Sequence, residues 1–265
     1  MTKLEPGKAT ICIVNYKTEE LTRLCLRSIR RFTRDYPYEV VVVDNDSGDA
    51  SLDYLRSLSW IKLIERPGQV MKSGSWAHGT ALDLGLDAAR TEFFVAMHSD
   101  TFVHKAGWLP FLADLAKQDI ACAGGGKLEL TPKWQLILKD ATDIKKWLRQ
   151  IKGDTRLRFY VRTICALYRT EILRKENLRF SMGVDEGFTC GKQLYYKLLE
   201  HGHGTVEVSA LNMSEYIFHL AHATMVLNPE FTVKERTGKK CRRELMKVLN
   251  SPLAKEILAD SGLDK

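Results

Sequence analysis

Continuous apolar runs alternate with amphipathic stretches through the first 100 residues, and this alternation is the strongest constraint on the fold. Four runs have the β-branched content of buried strands: ATICIVNY (9–16), YEVVVVD (38–44), WIKLIER (60–66) and EFFVAM (92–97). Three stretches between them show helical spacing: residues 18–32, 51–58 and 77–90. Because such strands bury both faces, the pattern predicts an α/β domain with a mainly parallel central sheet flanked by helices.

The pattern is less regular after Gly126. TICALYR (163–169) predicts a strand, TEILRKE (170–176) and GKQLYYKLLEHG (191–202) predict helices, and MSEYIFHLAH (213–222) predicts a strand or extended segment. Residues 239–262 predict two short helices around Ser251 and Pro252. At the first helix, Thr18 is the expected N-cap, with Glu19 and Glu20 in the first turn, where the helix dipole favours acidic residues.

Bulk properties restrict the cellular setting and the partners. The formal charge of +7 and pI of about 9.0 indicate a polyanionic partner, which leaves nucleic acid, an anionic membrane surface or a phosphorylated small molecule open. We expect a cytoplasmic protein, because the N-terminus lacks a secretory apolar region and no apolar run approaches the roughly 18 residues of a membrane span. The six cysteines are scattered, without metal-site spacing, and predict buried reduced thiols.

Polar residues follow three of the predicted strands. Asn15 and Tyr16 follow the first strand, the acidic stretch DNDSGD (44–49) the second, and HSD (98–100) the fourth. Ligands of open α/β sheets bind beyond the carboxyl ends of the strands, so we expect these residues in one crevice. Acidic loops there fit a bound cation or ribose hydroxyls.

Two common nucleotide motifs are missing from the sequence. The first strand-to-helix turn, NYKTEE, lacks glycine, and no GxxxxGK[ST] phosphate loop occurs. This excludes most nicotinamide-dependent and P-loop proteins. A nucleotidyltransferase of similar architecture ranks last, because this turn offers only Lys17 where such an enzyme needs a lysine- and glycine-rich phosphate loop.

Four stretches together resemble the family-two glycosyltransferases of GT-A fold: residues 12–29, 39–58, 78–112 and 183–202. The resemblance implies a Rossmann-like GT-A sheet with a less regular, acceptor-side C-terminal region. It divides the chain into a glycosyltransferase domain at 1–230 and a C-terminal helical extension at 231–265. Within the domain, about 9–125 would be the donor half and about 126–230 the acceptor half.

By this resemblance, several residues are expected to bind the nucleotide-sugar donor. Near the base or ribose the resemblance implies Asn15, Tyr16, Glu19, Asp44 and Asp46; near the phosphates or sugar it implies His78, Gly79, Asp83 and Ser99. Plain structural alternatives exist for some of them. Asp44 could be a turn residue that caps the next helix, Asp49 and Ser51 could be caps only, and His78 could be a helix-surface histidine.

The resemblance also implies a divalent metal, manganese or magnesium, at HSD, where the family carries a DxD-type motif. Asp100 is the expected ligand, and His98 stands where the pattern usually has aspartate. Imidazole favours manganese or another transition ion over magnesium. Either His98 is an unusual ligand, or it bonds the sugar while Asp100 alone holds the metal. Relatives often return a C-terminal histidine to the metal; we prefer His219 to His222, although each could equally be a core histidine.

An inverting transfer needs a base for the acceptor hydroxyl, and GVDEG supplies Asp185 and then Glu186. The sequence departs here from the ED pair of many relatives, since it has CGKQ (190–193), and a helix-entry cap is the structural alternative.

The sequence thus predicts a metal-dependent, inverting glycosyltransferase. Its predicted partners are a nucleotide-diphosphate sugar and an unidentified glycan, lipid-linked or small-molecule acceptor, with nucleic acid excluded. The alternative is a degenerate relative that binds a nucleotide sugar without turnover. The basic segment around Trp147 fits either peripheral contact with an anionic membrane or a lid over the donor.

Overall fold

A computed structural model of the protein describes residues 3–68, 72–117, 119–126, 160–228 and 230–265. Its strands are β1 (Glu5–Asn15), β2 (Tyr38–Asp44), β3 (Ile61–Glu65), β4 (Thr91–His98), β5 (Thr101–Val103), β6 (Ile120–Gly125), β7 (Cys165–Arg169), β8 (Gly204–Val208) and β9 (Ile217–His219). Seven of these strands form one sheet in the order β3-β2-β1-β4-β7-β6-β8. Only β7 runs antiparallel to its neighbours, so the predicted mainly parallel sheet is confirmed.

The helices of the described residues are α1 (Glu19–Phe32), α2 (Ala50–Ser57), α3 (Gly74–Ala88), α4 (Trp108–Leu115), α5 (Thr170–Lys175), α6 (Lys192–Glu200), α7 (Ala210–Met213), α8 (Ala223–Leu227), α9 (Glu235–Leu249) and α10 (Pro252–Ala259). A 3₁₀ helix, Ser261–Asp264, follows α10. The elements predicted from hydrophobic spacing therefore form, with shifts of a few residues at their ends.

Helices cover both faces of the sheet, as the continuous apolar strands predict. Successive residues of β1 point to opposite sides: Ile11 and Ile13 pack in the cluster with α1, α2 and α4, whereas Cys12 and Val14 pack in the cluster with α3, α5 and α6. Both clusters are fully buried at their centres. The sheet is thus a rigid support, and the carboxyl ends of β1, β2 and β4 meet at one edge.

Two helix starts differ from expectation. Thr18 occupies the predicted N-cap position of α1, but its side chain makes no cap hydrogen bond, and its hydroxyl lies near Asn15, Thr22 and Ser99 instead. Helix α3 begins at Gly74, three residues before the predicted start, because Ser73 caps it by accepting a hydrogen bond from the Trp76 N–H at 3.1 Å. The cap at Asp49 is confirmed by its bond from the Ser51 N–H.

A small second sheet joins two segments that are far apart in sequence. Strand β5 pairs antiparallel with β9, which sets Thr101 opposite His219. The Leu220 N–H then donates to the Asp100 carbonyl at 2.9 Å. The predicted extended segment at 213–222 is therefore a strand only at 217–219, and its pairing fixes His219 beside the turn that carries Asp100.

The last two helices pack against α1. Leu21 and Leu24 of α1 share a buried cluster with α8, α9 and α10. The Arg27 guanidinium donates to the Asp264 carboxylate at 2.5 Å, and the Tyr54 hydroxyl donates to the same carboxylate at 2.8 Å. The residues predicted as a C-terminal helical extension are thus attached to the face of the sheet that carries α1.

All six cysteines are buried and unpaired, which confirms the expected thiols. None of the helices in the described ranges combines the length and apolar composition that crossing a bilayer requires. The basic segment around Trp147 lies outside the described residues, and so do the lid and the membrane contact predicted for it.

Candidate functional site at the carboxyl edge of the sheet

A cavity of about 710 Å³ opens where β1 and β4 end. Its lining includes Tyr16, Asn45, His78, His98, Asp100 and His219. Residues before β7 and before α6 also line it. Residues from distant parts of the sequence therefore meet at the edge where α/β sheets bind ligands.

His98, Asp100 and His219 form a trio at the centre of this cavity. His219 Nε2 lies 3.3 Å, and His98 Nδ1 lies 3.7 Å, from the same Asp100 carboxylate oxygen, Oδ1. One potential ligand atom from each residue lies within 4.8 Å of the other two. Ligands about 2.1 Å from one ion are separated by roughly 3 to 3.5 Å in tetrahedral or octahedral geometry, so this spacing fits a shared metal.

The Asp100 carboxylate is buried without sufficient hydrogen bonding. It is 7% exposed, and within the described part of the chain no hydrogen bond is assigned to Oδ1, although His219 Nε2 lies 3.3 Å from it. Burial by itself would raise the pKa of Asp100, but His219 and then His98 outweigh it, so the pKa lies below its ordinary value. A buried anionic oxygen facing two imidazole nitrogens is the donor set of a divalent transition ion.

A second layer of contacts orients the trio. His98 Nε2 lies 3.3 Å from the Thr163 hydroxyl, and donation from this nitrogen would direct the Nδ1 lone pair towards Asp100. The His78 ring packs edge-on against His98, with ring centroids 4.6 Å apart. Burial, and then the nearby His98, lower the pKa of His78 well below its usual value, so this imidazole is neutral and its buried Nε2 has no partner. His78 therefore lines the cavity with an unused polar atom.

Asn15 and Asp44 lie in a separate buried network. The Asn15 amide, Nδ2, contacts Asp44 Oδ1 at 2.6 Å, Ser47 Oγ at 3.0 Å and Ser51 Oγ at 2.8 Å. Asp44 also accepts from the Ser47 N–H at 3.0 Å and from the Ser47 hydroxyl at 2.6 Å. Asn15 and Asp44 hold the loops after β1 and β2 together, while their neighbours Tyr16 and Asn45 line the cavity.

The other predicted base and ribose residues lie in different surroundings. Tyr16 lines the cavity beside Phe231, with ring centroids 5.9 Å apart, and its hydroxyl donates to Glu230 at 2.8 Å. Glu19 pairs with Arg23 of its own helix at 2.6 Å. Asp46 is exposed and accepts from the Gly68 N–H at 3.1 Å. Of these three predicted residues, the structure brings only Tyr16 to the cavity lining.

Asp83 and Gly79 attach helix α3 to the segment before α6. The Asp83 carboxylate accepts from the Phe180 N–H at 2.7 Å and from the Ser181 hydroxyl at 2.6 Å. A Cβ at Gly79 would lie 2.9 Å from Ser181 Cα, so only glycine permits this close approach. The structure places both residues in a packing contact, whereas Ser99 lies in the cavity beside Asp100.

The two residues predicted as the catalytic base lie on an exposed turn. Asp185 is 73% exposed in its side chain, and its Oδ1 lies 3.6 Å from Lys72 Nζ. Glu186 is exposed next to it. Neither lines the cavity, but Ser73, Gly74 and Ser75 do, so the contact with Lys72 puts Asp185 near the rim. Among the described lining residues, Asp100 is the only carboxylate.

The sequence interpretation did not single out several residues of the cavity wall. Tyr160 and Arg162 stand at the end of an irregular basic stretch, and Phe231 follows a loop without a motif, so no local pattern marked them. Thr163 precedes β7 and gave no signal, since threonine is ordinary at a strand start. Tertiary packing, rather than a local sequence pattern, brings these residues to the cavity wall.

A second concave surface adjoins the trio. It has a volume of about 790 Å³ and shares His219 and His222 with the main cavity. Helix α9 contributes four cations to it: Arg236, Lys239, Lys240 and Arg243. The basic stretch of the sequence at 234–245 therefore contributes to a concavity next to the site.

Residues 10–176 match the profile of the family described as Glycosyl transferase family 2. The chain belongs to this family. The predicted resemblance is therefore confirmed, and the matched range includes the HSD turn but ends before α6 and His219.

A curated relative gives a shorter match. The protein named "Putative glycosyltransferase EpsH" of Bacillus subtilis (strain 168) is 30% identical over 104 residues. That alignment covers 38% of this chain and 28% of the relative. The present chain therefore matches well under two thirds of the relative's length.

Solved structures show the fold of family 2 at low sequence identity. A mannosyltransferase, PcManGT from Pyrobaculum calidifontis in complex with GDP-Man and Mn²⁺, has a TM-score of 0.56 at 17% identity, over 95% of this chain and 72% of that one. S. aureus TarS 1-349 in complex with UDP-GlcNAc has a TM-score of 0.52 at 18% identity, over 96% of this chain and 71% of that one. The likeness establishes a glycosyltransferase fold of the GT-A type.

Proposed function

We propose that this family 2 protein transfers a glycosyl group from a nucleoside-diphosphate sugar to an acceptor hydroxyl, with inversion and with a divalent metal. The observation that carries the proposal is the convergence of His98, Asp100 and His219 on one buried, unsatisfied carboxylate oxygen in the cavity. A divalent ion held there would neutralise the diphosphate that leaves. Manganese suits the two imidazoles better than magnesium does.

The surrounding residues have complementary roles in this proposal. Tyr16 and Phe231 offer aromatic faces at one end of the cavity, where a nucleobase can pack. The unused Nε2 of His78 is available to a donor hydroxyl or phosphate. In this arrangement Asn15 and Asp44 act indirectly, by fixing the loop that presents Tyr16. The donor half of the fold would thus be rigid before the donor binds.

Asp185 is the proposed base, with Glu186 next to it. A base must come within direct hydrogen-bond reach of the acceptor hydroxyl, or act through one water. The rim position of Asp185, against Lys72, supports a short inward movement of its turn when substrates bind. Gly183 and Gly187 flank this turn with φ of +70° and +88°, so glycine sets its shape at both ends.

One observation favours a second candidate, a binding protein without turnover. Asp100 is the only described carboxylate of the cavity lining, and in the main proposal it holds metal. If no base reached the acceptor, the same site would bind a nucleotide sugar and leave it intact. Release of nucleoside diphosphate separates the two candidates.

We further propose that the protein works in the cytoplasm. Its six buried thiols suit a reducing compartment, because disulfides form and persist mainly in oxidising ones. GDP-mannose and UDP-GlcNAc are the first donors to test, since structural neighbours are named with them.

Thermal unfolding with each nucleotide sugar, with and without Mn²⁺, tests donor binding. A donor that binds only the folded state raises the free energy of unfolding with the logarithm of its concentration, by about 2.7 kcal/mol at 100 times its dissociation constant, and the unfolding midpoint rises with it. Metal-dependent stabilisation by at least one donor is the expected result. Equal shifts with Mn²⁺ and with EDTA would contradict the metal site.

Asp185→Asn tests the base. We expect this change to leave donor stabilisation unaltered and to slow release of nucleoside diphosphate by about 10²- to 10⁴-fold, the usual contribution of general base catalysis. Asp114→Asn is the matched control, because Asp114 is also exposed and lies 2.6 Å from a lysine, Lys117, which follows the end of α4. An unchanged rate in Asp185→Asn would assign the base to another residue.

A further inference from the structure

Two cations and three aromatic rings form a cluster that includes two of the cavity's lining residues, Tyr160 and Arg162. Lys192 Nζ lies 5.7 Å from the ring centroid of Phe188 and 5.9 Å from those of Tyr160 and Tyr196. Arg162 lies over the same Tyr160 ring, at 5.3 Å. We call these five residues the aromatic–cation cluster. It joins the segment before β7 to the turn before α6 and to the first two turns of that helix.

The cations of this cluster differ from three other cations of the described residues. Arg169 lies 3.6 Å from Glu92, Arg179 lies 2.6 Å from Asp87, and Lys72 lies 3.6 Å from Asp185. In the described ranges, neither Lys192 nor Arg162 forms such an ion pair, although both are only half exposed. Aromatic rings replace part of their hydration. Two like charges beside one tyrosine ring favour an anion between them.

The cluster is continuous with the donor cavity. Tyr160, Arg162 and Thr189 line that cavity, and the Tyr160 hydroxyl is held 2.6 Å from the Thr189 hydroxyl. Lys192 is the first residue of α6, after Gly191 with φ +73°, so the amide end of this helix adds positive potential at the same place. A molecule that rests on Tyr160 and Arg162 of the cluster therefore lies in the same cavity as the trio.

We propose that the aromatic–cation cluster is the acceptor subsite and that the acceptor is an anionic saccharide. Aromatic rings pack against the C–H faces of a sugar ring, while Lys192 and Arg162 pair with a carboxylate or phosphate that the sugar carries. This inference rests on the proposed function, because it names the acceptor class for the same site. It requires no residue of the proposed metal trio.

Saturation-transfer NMR with the full-length protein, without divalent metal, tests the subsite directly. The probes are glucose, glucuronate and glucose 6-phosphate, which compare a neutral sugar with a carboxylate and a phosphate. We expect at least one anionic probe to bind about tenfold more tightly than glucose, and to weaken as salt is raised. The anionic probe that binds more tightly identifies the charged group.

Substitutions locate the binding. Lys192→Gln and Arg162→Gln should each weaken the anionic probe about tenfold and leave glucose unchanged, whereas Lys192→Arg should retain binding. Lys255→Gln, which removes an exposed positive charge from α10, is the matched control and should change nothing. Thermal unfolding of each variant shows that it is folded.

Several results would overturn the subsite. These are equal affinity for glucose and both anionic probes, no binding of either anionic probe, or equal losses in Lys255→Gln and Lys192→Gln. The donor test is separate. If no nucleoside-diphosphate sugar stabilises the protein but the anionic probes bind through Lys192, the proposed function fails while the anionic saccharide site stands.

Discussion

Asp44 and Asp100 are two buried carboxylates near the ends of β2 and β4, the strands on either side of β1. Asp44 is 1% exposed and receives hydrogen bonds from Asn15 and Ser47, so protein donors satisfy both of its oxygens. Asp100 is 7% exposed, and its Oδ1 has imidazole neighbours but no hydrogen bond. Similar positions in the fold thus hold one carboxylate that serves the structure and one that is open to a ligand.

The difference lies in the partners that the chain supplies. Serine and asparagine donate hydrogen bonds, and these bonds occupy the lone pairs of the Asp44 carboxylate. The neighbours of Asp100 Oδ1 are imidazoles, which can themselves be metal ligands, so this carboxylate could share a divalent ion with them. Burial alone would not separate the two aspartates.

Asp100→Asn should give the largest effect. Loss of a group that only orients a metal ligand costs about 10- to 100-fold in affinity, so loss of the ligand itself should exceed about 100-fold. Isothermal titration with Mn²⁺ measures this. If the Mn²⁺ affinity of the variant stayed within a factor of two of the parent, Asp100 would not be a metal ligand.

Asp44→Asn should have the opposite profile. An amide at this position sets its N–H groups against those of Asn15 or Ser47 and leaves buried donors unpaired, which costs about 1 to 3 kcal/mol of unfolding free energy. Urea unfolding measures the loss. Mn²⁺ affinity of the folded variant should remain within about twofold of the parent. A large loss of metal affinity with full stability would show that Asp44 belongs to the ligand site.

Thr163→Val should give the smallest change in Mn²⁺ affinity. It tests whether a neighbour that only orients His98 also matters for the site around Asp100. The valine keeps the shape and removes the hydroxyl that contacts His98 Nε2 at 3.3 Å, so the imidazole loses its orienting partner. We expect about tenfold weaker Mn²⁺ binding, at the low end for such a contact. Thr205→Val is the control, because it removes a comparable threonine contact, at 3.2 Å to the Tyr195 hydroxyl, on β8. Equal losses in both variants would argue for a general effect on packing.

The sheet and most helices could be predicted because their signals are local. The apolar runs predicted the first four strands, β1 to β4, and helical spacing predicted α1, α2 and most of α3. The capping serine at Ser73 was overlooked, although its residue type and position were visible. Asp100 and His98 were accessible to sequence reasoning, because they follow a strand whose burial was evident.

The rest depended on contacts between distant segments. The β5–β9 pairing that sets His219 opposite Thr101 involves three-residue strands, which are too short to show a period. Asn15 and Asp44 were expected at the ligand, but their side chains turn towards Ser47 and Ser51, which only tertiary geometry determines. Tyr160 and Arg162 reach the cavity through the strand order around β7, and no motif encodes that order.

The pairing of β5 with β9 has a consequence during synthesis. A nascent chain that ends after β5 already displays Asp100 and His98, but the third member of the trio is made more than 110 residues later. Non-local contacts of this span form late, since the intervening loop must first be closed. A ribosome-bound intermediate of that length therefore holds only two of the three side chains. The trio is complete only once the last third of the polypeptide has docked.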